Sequence, residues 1–263
     1  MFSEYALGED LIELCENTDC DTLVVESQRD FEALPEDALF EVALLTEDIS
    51  PTPCPESWLS EDSPQTLSRL TKNDLAIGLP GDGSVTWTAQ TTPPLIIIKP
   101  RIAGAPTDFK DFLIAEAILQ LSRDHPEHLL SFFREDYRSL EGAVNGDSDL
   151  SYRLAIALYR GWQGLDTRAS FQTWEEKYPR LGAAWSSAGG HLEGRVSELP
   201  TLLADGTMGF GAATELACSA LKHDISLPAP FRALDVESFR DHGARFAIKW
   251  AERTYAQLAT TQS

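Results

Sequence analysis

Four consecutive apolar residues, Leu95-Ile96-Ile97-Ile98, constrain this chain more than any other feature. A strand alternates its side chains between two faces, so a run with no polar member needs cover on both. That predicts a strand inside a sheet with helices packed over it. Pro93-Pro94 ahead and Pro100 behind hold the run to strand length.

The residues before it alternate between helix and strand signals. Leu7 to Glu16 reads as a helix, with Leu11, Leu14 and Cys15 at helical spacing. Thr22 to Val25 reads as a strand, Phe31 to Ala38 as a brief helix, and Phe40 to Leu45 as a second strand. Pro51 to Pro64 is a loop. Leu75 to Gly78 and Ser84 to Gln90 read as two strands joined by the turn Pro80-Gly81-Asp82-Gly83.

Beyond Pro100 the signals are helical. Asp108 can cap a helix carrying Phe109, Phe112 and Ile118, and His125-Pro126 can open one through Leu129 and Phe133. A third is expected from Leu150 to Arg160, ended by Gly161 and Gly164, and a fourth from Asp166 to Pro179. Leu181 to Leu199 is weaker, broken at Gly189-Gly190. Gly211 to Lys222 and a last helix from Asp235, with Phe239, Gly243, Phe246 and Trp250 on one stripe, follow. The expected fold is an α/β N-terminal domain of about five strands, residues 1–104, then an all-α helical domain, residues 105–263.

Charge separates the same two segments. The chain of 263 residues carries 42 acidic and 21 basic side chains, a net charge of −21. Residues 1–100 hold 20 of the acids against four bases (Arg29, Arg69, Lys72 and Lys99), a net of −16; the remainder is close to balanced at −5. Only six lysines occur in the whole chain. An acidic, lysine-poor composition is the halophilic pattern, because at molar salt the Debye length falls to roughly 3 Å and carboxylates cease to repel one another. The same charge disfavours nucleic acid and anionic membrane as partners. The acidic start and the four cysteines without a CxxC pair predict a cytoplasmic protein with free thiols.

Motifs for chemistry are weak. Gly78-Leu79-Pro80-Gly81-Asp82-Gly83-Ser84 lacks the Gly-Lys-Ser/Thr ending of a phosphate loop, and a strand follows it, so it reads as a hairpin turn. Gly209-Phe210-Gly211 opens a helix without a preceding strand, which reads as packing rather than phosphate binding. His125-Pro126-Glu127-His128 departs from the zinc-protease spacings and reads as a solvated first turn. Cys15 and Cys20 could join Cys54 at a metal, but no fourth ligand is evident; spacing alone leaves ligation at either cluster open, and no metal or cofactor is expected. Cys218, on an apolar helix face, reads as inert. The densest polar feature is an arginine- and aromatic-rich stretch, from which Arg153, Arg160, Trp162, Arg168, Trp174, Arg180 and His191 are the candidate ligand- or partner-binding residues.

The stretch Leu75-Ala76-Ile77-Gly78-Leu79-Pro80-Gly81-Asp82-Gly83-Ser84-Val85-Thr86-Trp87, with Pro94 to Arg101 and the helical half from Phe109, resembles haloarchaeal proteins grouped only as a family of unknown function. The resemblance implies a haloarchaeal cytoplasm and carries no activity or catalytic residue. The expected function is that of an accessory or regulatory protein acting by binding a protein partner without catalysis. The alternative is an enzyme or small-anion binder whose site, at the domain junction, is lined by Arg and Trp of the helical half.

Overall fold

The computed structural model describes residues 2–261. In chain order the elements are β1 (Phe2–Glu4), α1 (Glu9–Thr18), β2 (Leu23–Ser27), α2 (Glu36–Leu45), β3 (Asp48–Ile49), α3 (Gln65–Leu70), β4 (Val85–Thr88), β5 (Thr91–Thr92), β6 (Leu95–Ile98) and α4 (Thr107–Ser122). Then come α5 (Leu129–Phe133), α6 (Tyr137–Ala143), α7 (Ser148–Lys177), α8 (Pro179–Ser197), α9 (Leu199–Ala204), α10 (Phe210–Leu221) and α11 (Glu237–Thr261). A mixed-sheet region of six strands with helices is therefore followed by a mostly helical half.

The chain forms two compact units. The first gathers residues up to 54, 69–128 and 174–184; the second gathers 55–68, 129–173 and 185 onward.

In the first unit the sheet runs β1-β2-β6-β4. β2 and β6 are parallel, with Val25 opposite Ile97; β4 lies antiparallel on the other edge of β6, with Trp87 opposite Ile96. All four β6 residues are buried, as an apolar run without alternation requires. Leu95 and Ile97 pack with Val25, Ile77 and the Ala38 and Val42 side chains of α2. α4 packs on β4, and α1 on α4.

Two expected strands are absent. Leu75 to Gly78 joins no sheet, because its carbonyls are taken elsewhere: Leu34 N–H donates to the Ile77 carbonyl at 2.8 Å, and Gln90 Nε2 to that of Ala76 at 3.1 Å. The expected hairpin is absent with it. Its turn is instead closed by Asp82, whose Oδ2 accepts from Leu79 N–H at 2.6 Å, and Val85–Thr88 pairs with β6. Phe40 to Leu45 is helical, the second half of α2, opened by Pro35 with Glu36 and Asp37 in the first turn, where the helix dipole favours negative charge.

In the second unit the expected break at Gly161 and Gly164 does not occur; α7 continues to Lys177. Both glycines are sites of close approach. A Cβ on Gly161 would lie 2.8 Å from Cys218 Sγ, and one on Gly164 would lie 2.8 Å from Lys222 Cβ. Likewise α8 runs through Gly189-Gly190, with Gly189 against His223. α11 does bend, at Gly243 (φ 47°, ψ −121°), which faces the Phe132 ring.

Candidate functional site

A ten-residue helix has one buried face and one exposed, and a soluble chain ordinarily puts polar residues on the second. α2 departs from this. Ala38 and Val42, four apart, are fully buried against the sheet. Phe40 and Leu44, also four apart, point away and are 69% and 72% exposed, with Leu45 exposed beside them. The apolar pair is fenced by charge of one sign. Residues 36–48 contain Glu36, Asp37, Glu41, Glu47 and Asp48 and no lysine or arginine. The nearest preceding cation, Arg29, bonds Asp37 at 2.8 Å. Read as a strand, this segment would have placed Phe40, Val42 and Leu44 on one buried face; as a helix it turns Val42 in and the other two out. The i, i+4 pairing of Phe40 with Leu44 was the available signal.

The seven residues of the arginine- and aromatic-rich stretch are divided between the two units, Trp174 and Arg180 in the first and the other five in the second. Trp174 is core, edge-on to Phe112 and Tyr178. Arg180 bonds Asp111 at 2.6 Å, Asp108 at 2.8 Å and Asp10 at 3.3 Å, and Tyr5 donates to the same Asp111 at 2.9 Å. Those carboxylates hold the guanidinium well above its ordinary range.

In the second unit Arg168 bonds Asp235 at 2.8 Å and Asp224 at 3.1 Å, and Arg160 stacks on Tyr159 with its guanidinium 6.0 Å from the ring centre. Trp162 donates to the Arg240 carbonyl at 2.9 Å and packs on Phe132. His191 is exposed, its Nδ1 2.6 Å from the Ser187 carbonyl. Arg153, exposed, lines a cleft of about 610 Å³ with Asp147, Asp149, Gly209–Ala212 and Tyr255.

The histidine cluster is not the solvated helical turn expected. Residues 125–128 form a loop ahead of α5, and both histidines are buried. Glu127 accepts from Gln90 Nε2 at 2.9 Å and from Ala89 N–H at 3.3 Å, which ties the loop to the end of β4. Loss of water around the carboxyl pushes its pKa up to about 7, with hydrogen bonds from Thr88, Gln90 and Ala89 pulling the other way. Burial lowers His128 to about 4, so its imidazole is neutral; Nε2 lies 3.4 Å from Cys54 Sγ. Cys54 thus pairs with a histidine, whereas Cys15 and Cys20 line a separate cavity. Among the described residues no group of three or more His, Cys, Asp or Glu side chains is placed to hold a metal. Nor is any described helix long and apolar enough to cross a membrane.

Compared with known proteins, residues 1–258 match the model of a family of unknown function, DUF7089, and the chain belongs to that family. No curated protein and no solved structure matches it.

Proposed function

We propose that this protein works by binding a protein partner, without catalysis, and that α2 is the docking face. The observation that carries this is the Phe40–Leu44 pair, exposed on a helix whose charged residues, from 36 to 48, are all carboxylates. Two large apolar side chains left in water are an interface in waiting when a polar rim surrounds them. The rim chooses the occupant: a segment with an apolar anchor flanked by lysine or arginine, which can pair with the carboxylates at contact distance even in high salt, whereas a second copy brings them no cation. The net charge of −21 and the scarcity of lysine support a protein at work in a salt-rich cytoplasm, where apolar anchors outlast screened charges.

The test is capture of partners in molar KCl by the wild-type chain and by Phe40→Ser/Leu44→Ser, followed by titration of each with a synthetic helical peptide bearing apolar anchors flanked by lysine. The wild type is expected to bind the peptide at least tenfold more tightly than the variant and to hold one stoichiometric partner that the variant loses. Equal binding by both chains, or self-association through α2 in sedimentation, would overturn the reading.

A second reading, a site for a small anionic ligand, rests on Arg153 in its cleft. Asp147 and Asp149 line the same cleft and oppose an anion, which places this reading second. Calorimetry with inorganic phosphate on wild type and Arg153→Ala decides it: heat in the first alone supports the site, and none in either removes it.

A further inference from the structure

Helix α1 ends on a turn whose closing hydrogen bond joins the backbones of two cysteines. Asp19 adopts a left-handed conformation (φ 51°); its N–H donates to the Glu16 carbonyl, and Cys20 N–H donates to the Cys15 carbonyl at 3.1 Å. This pair of bonds, six residues back to one and five back to two, is the Schellman helix end, which is frequently accompanied by a contact between the side chains of the first and sixth residues. Those residues here are Cys15 and Cys20. Both line one cavity of about 300 Å³ together with Ile12, Glu16 and Asp19. Cys15 is half-buried and Cys20 buried, so Cys15 is the more accessible of the two. The remaining two cysteines differ: Cys54 is buried on His128, and Cys218 is buried against Gly161.

We propose that Cys15 and Cys20 are a redox pair that closes to a disulfide across the end of α1. The oxidant is a small-molecule disulfide. Cys15 loses its proton and attacks one sulfur of the oxidant, forming a mixed disulfide and releasing one thiol. Cys20 then loses its proton and attacks Cys15 Sγ, releasing the second thiol. Two electrons and two protons leave the cysteines, and the external disulfide is reduced to two thiols. A disulfide needs Cα atoms about 4.4–6.8 Å apart, and the Cys20 N–H to Cys15 carbonyl bond keeps the two backbones adjacent. Burial raises both thiols, Cys20 to about 11, so little thiolate is present at neutral pH. The pair is therefore slow to close and, once closed, hard to reduce. Closure would fix the turn that leads from α1 into β2.

The full-length chain is equilibrated at pH 8 over a range of reduced-to-oxidised glutathione ratios, acid-quenched, denatured, alkylated with N-ethylmaleimide and mapped by mass spectrometry. Cleavage after Arg29 leaves both cysteines on one peptide. Both alkylation sites on this peptide are expected to vanish together, with loss of two hydrogens, while Cys54 and Cys218 stay alkylatable. Cys20→Ser should stop at the glutathione adduct on Cys15. A wild-type peptide that stalls at that adduct, or that keeps two alkylatable thiols at the most oxidising ratio, overturns the proposal; neither reading depends on how the variant folds.

Discussion

The two compact units fix their elements by different means. In the first, Asp111 is a buried carboxylate inside an ion cluster, its side chain 4% exposed, held by Arg180 and Tyr5. The arginine pairs described in the second unit join carboxylates that keep a quarter or more of their surface in water. In the second unit the tight approaches are between helices: α7 meets α10 and the residue after it at Gly161 and Gly164, which leave no room for a β-carbon, whereas Gly78 and Gly182 of the first unit are crowded by backbone at Glu32 and Glu175. Both units are therefore sensitive to a methyl group gained at a tight glycine, and the first is sensitive as well to the loss of a buried charge partner. Mutations of modest size should separate the two.

The largest effect is expected from that seam. Gly164→Val should cost about 3 kcal/mol or more in urea unfolding, because the added atoms meet Lys222 and its backbone rather than a yielding side-chain tip. Gly190→Ala, also inside a helix but with nothing within 4 Å of the new carbon, should instead stabilise by up to about 1 kcal/mol. The two helical glycines should thus respond with opposite signs; a Gly164→Val that is neutral or stabilising would show that the seam is not tight.

Asp111→Ala comes next, at about 2 kcal/mol. It leaves Tyr5 without its acceptor and Arg180 with the more exposed Asp108 and Asp10. Asp108→Ala should cost much less, since that side chain is 56% exposed. Chemical denaturation of both variants checks the ranking, and a cost for Asp108→Ala as large as that for Asp111→Ala would break it.

What was legible in the sequence follows the same division between local and distant causes. β6 was visible because four apolar residues in a row admit few alternatives, and α1 and α4 because their apolar spacing repeats over several turns. The α7 glycines were misread as stops: a glycine that ends a helix and one that lets another helix approach look alike until the other helix is in place. Phe40 to Leu45 is too short for its period to be decided by itself. The arginine-rich stretch was visible as composition, but two of its residues belong to one unit and five to the other, which no local pattern records. Burial of His125 and His128 likewise depends on the end of β4, about 37 residues earlier in the chain.

The loop at Glu127 and His128 gives a smaller, pH-dependent effect with two opposing signs. The folded-state pKa of Glu127, about 7, lies above its unfolded value, so the native state keeps a proton that the unfolded chain has released. Its contribution to stability is present at low pH and is lost as pH rises from about 4.5 to 7. His128 is lowered to about 4, so between about 4 and 6.5 the unfolded chain binds the extra proton and stability rises with pH. The two slopes offset one another in the wild type. Glu127→Gln should expose the rising slope and His128→Gln the falling one, read from thermal unfolding at half-unit steps of pH; a profile unchanged by either variant would place both side chains in water.

The smallest expected effect tests the face on which the proposed function rests. As a helix, α2 holds Val42 in the core and Phe40 and Leu44 outside it. Val42→Ala should therefore cost about 1–2 kcal/mol, while Phe40→Ser and Leu44→Ser each change stability by no more than about 0.5 kcal/mol. Were the segment a strand with one buried face, all three substitutions would destabilise together. The same pair of serines should abolish partner binding at almost no cost to folding. That combination distinguishes residues kept in water for recognition from residues kept dry for packing.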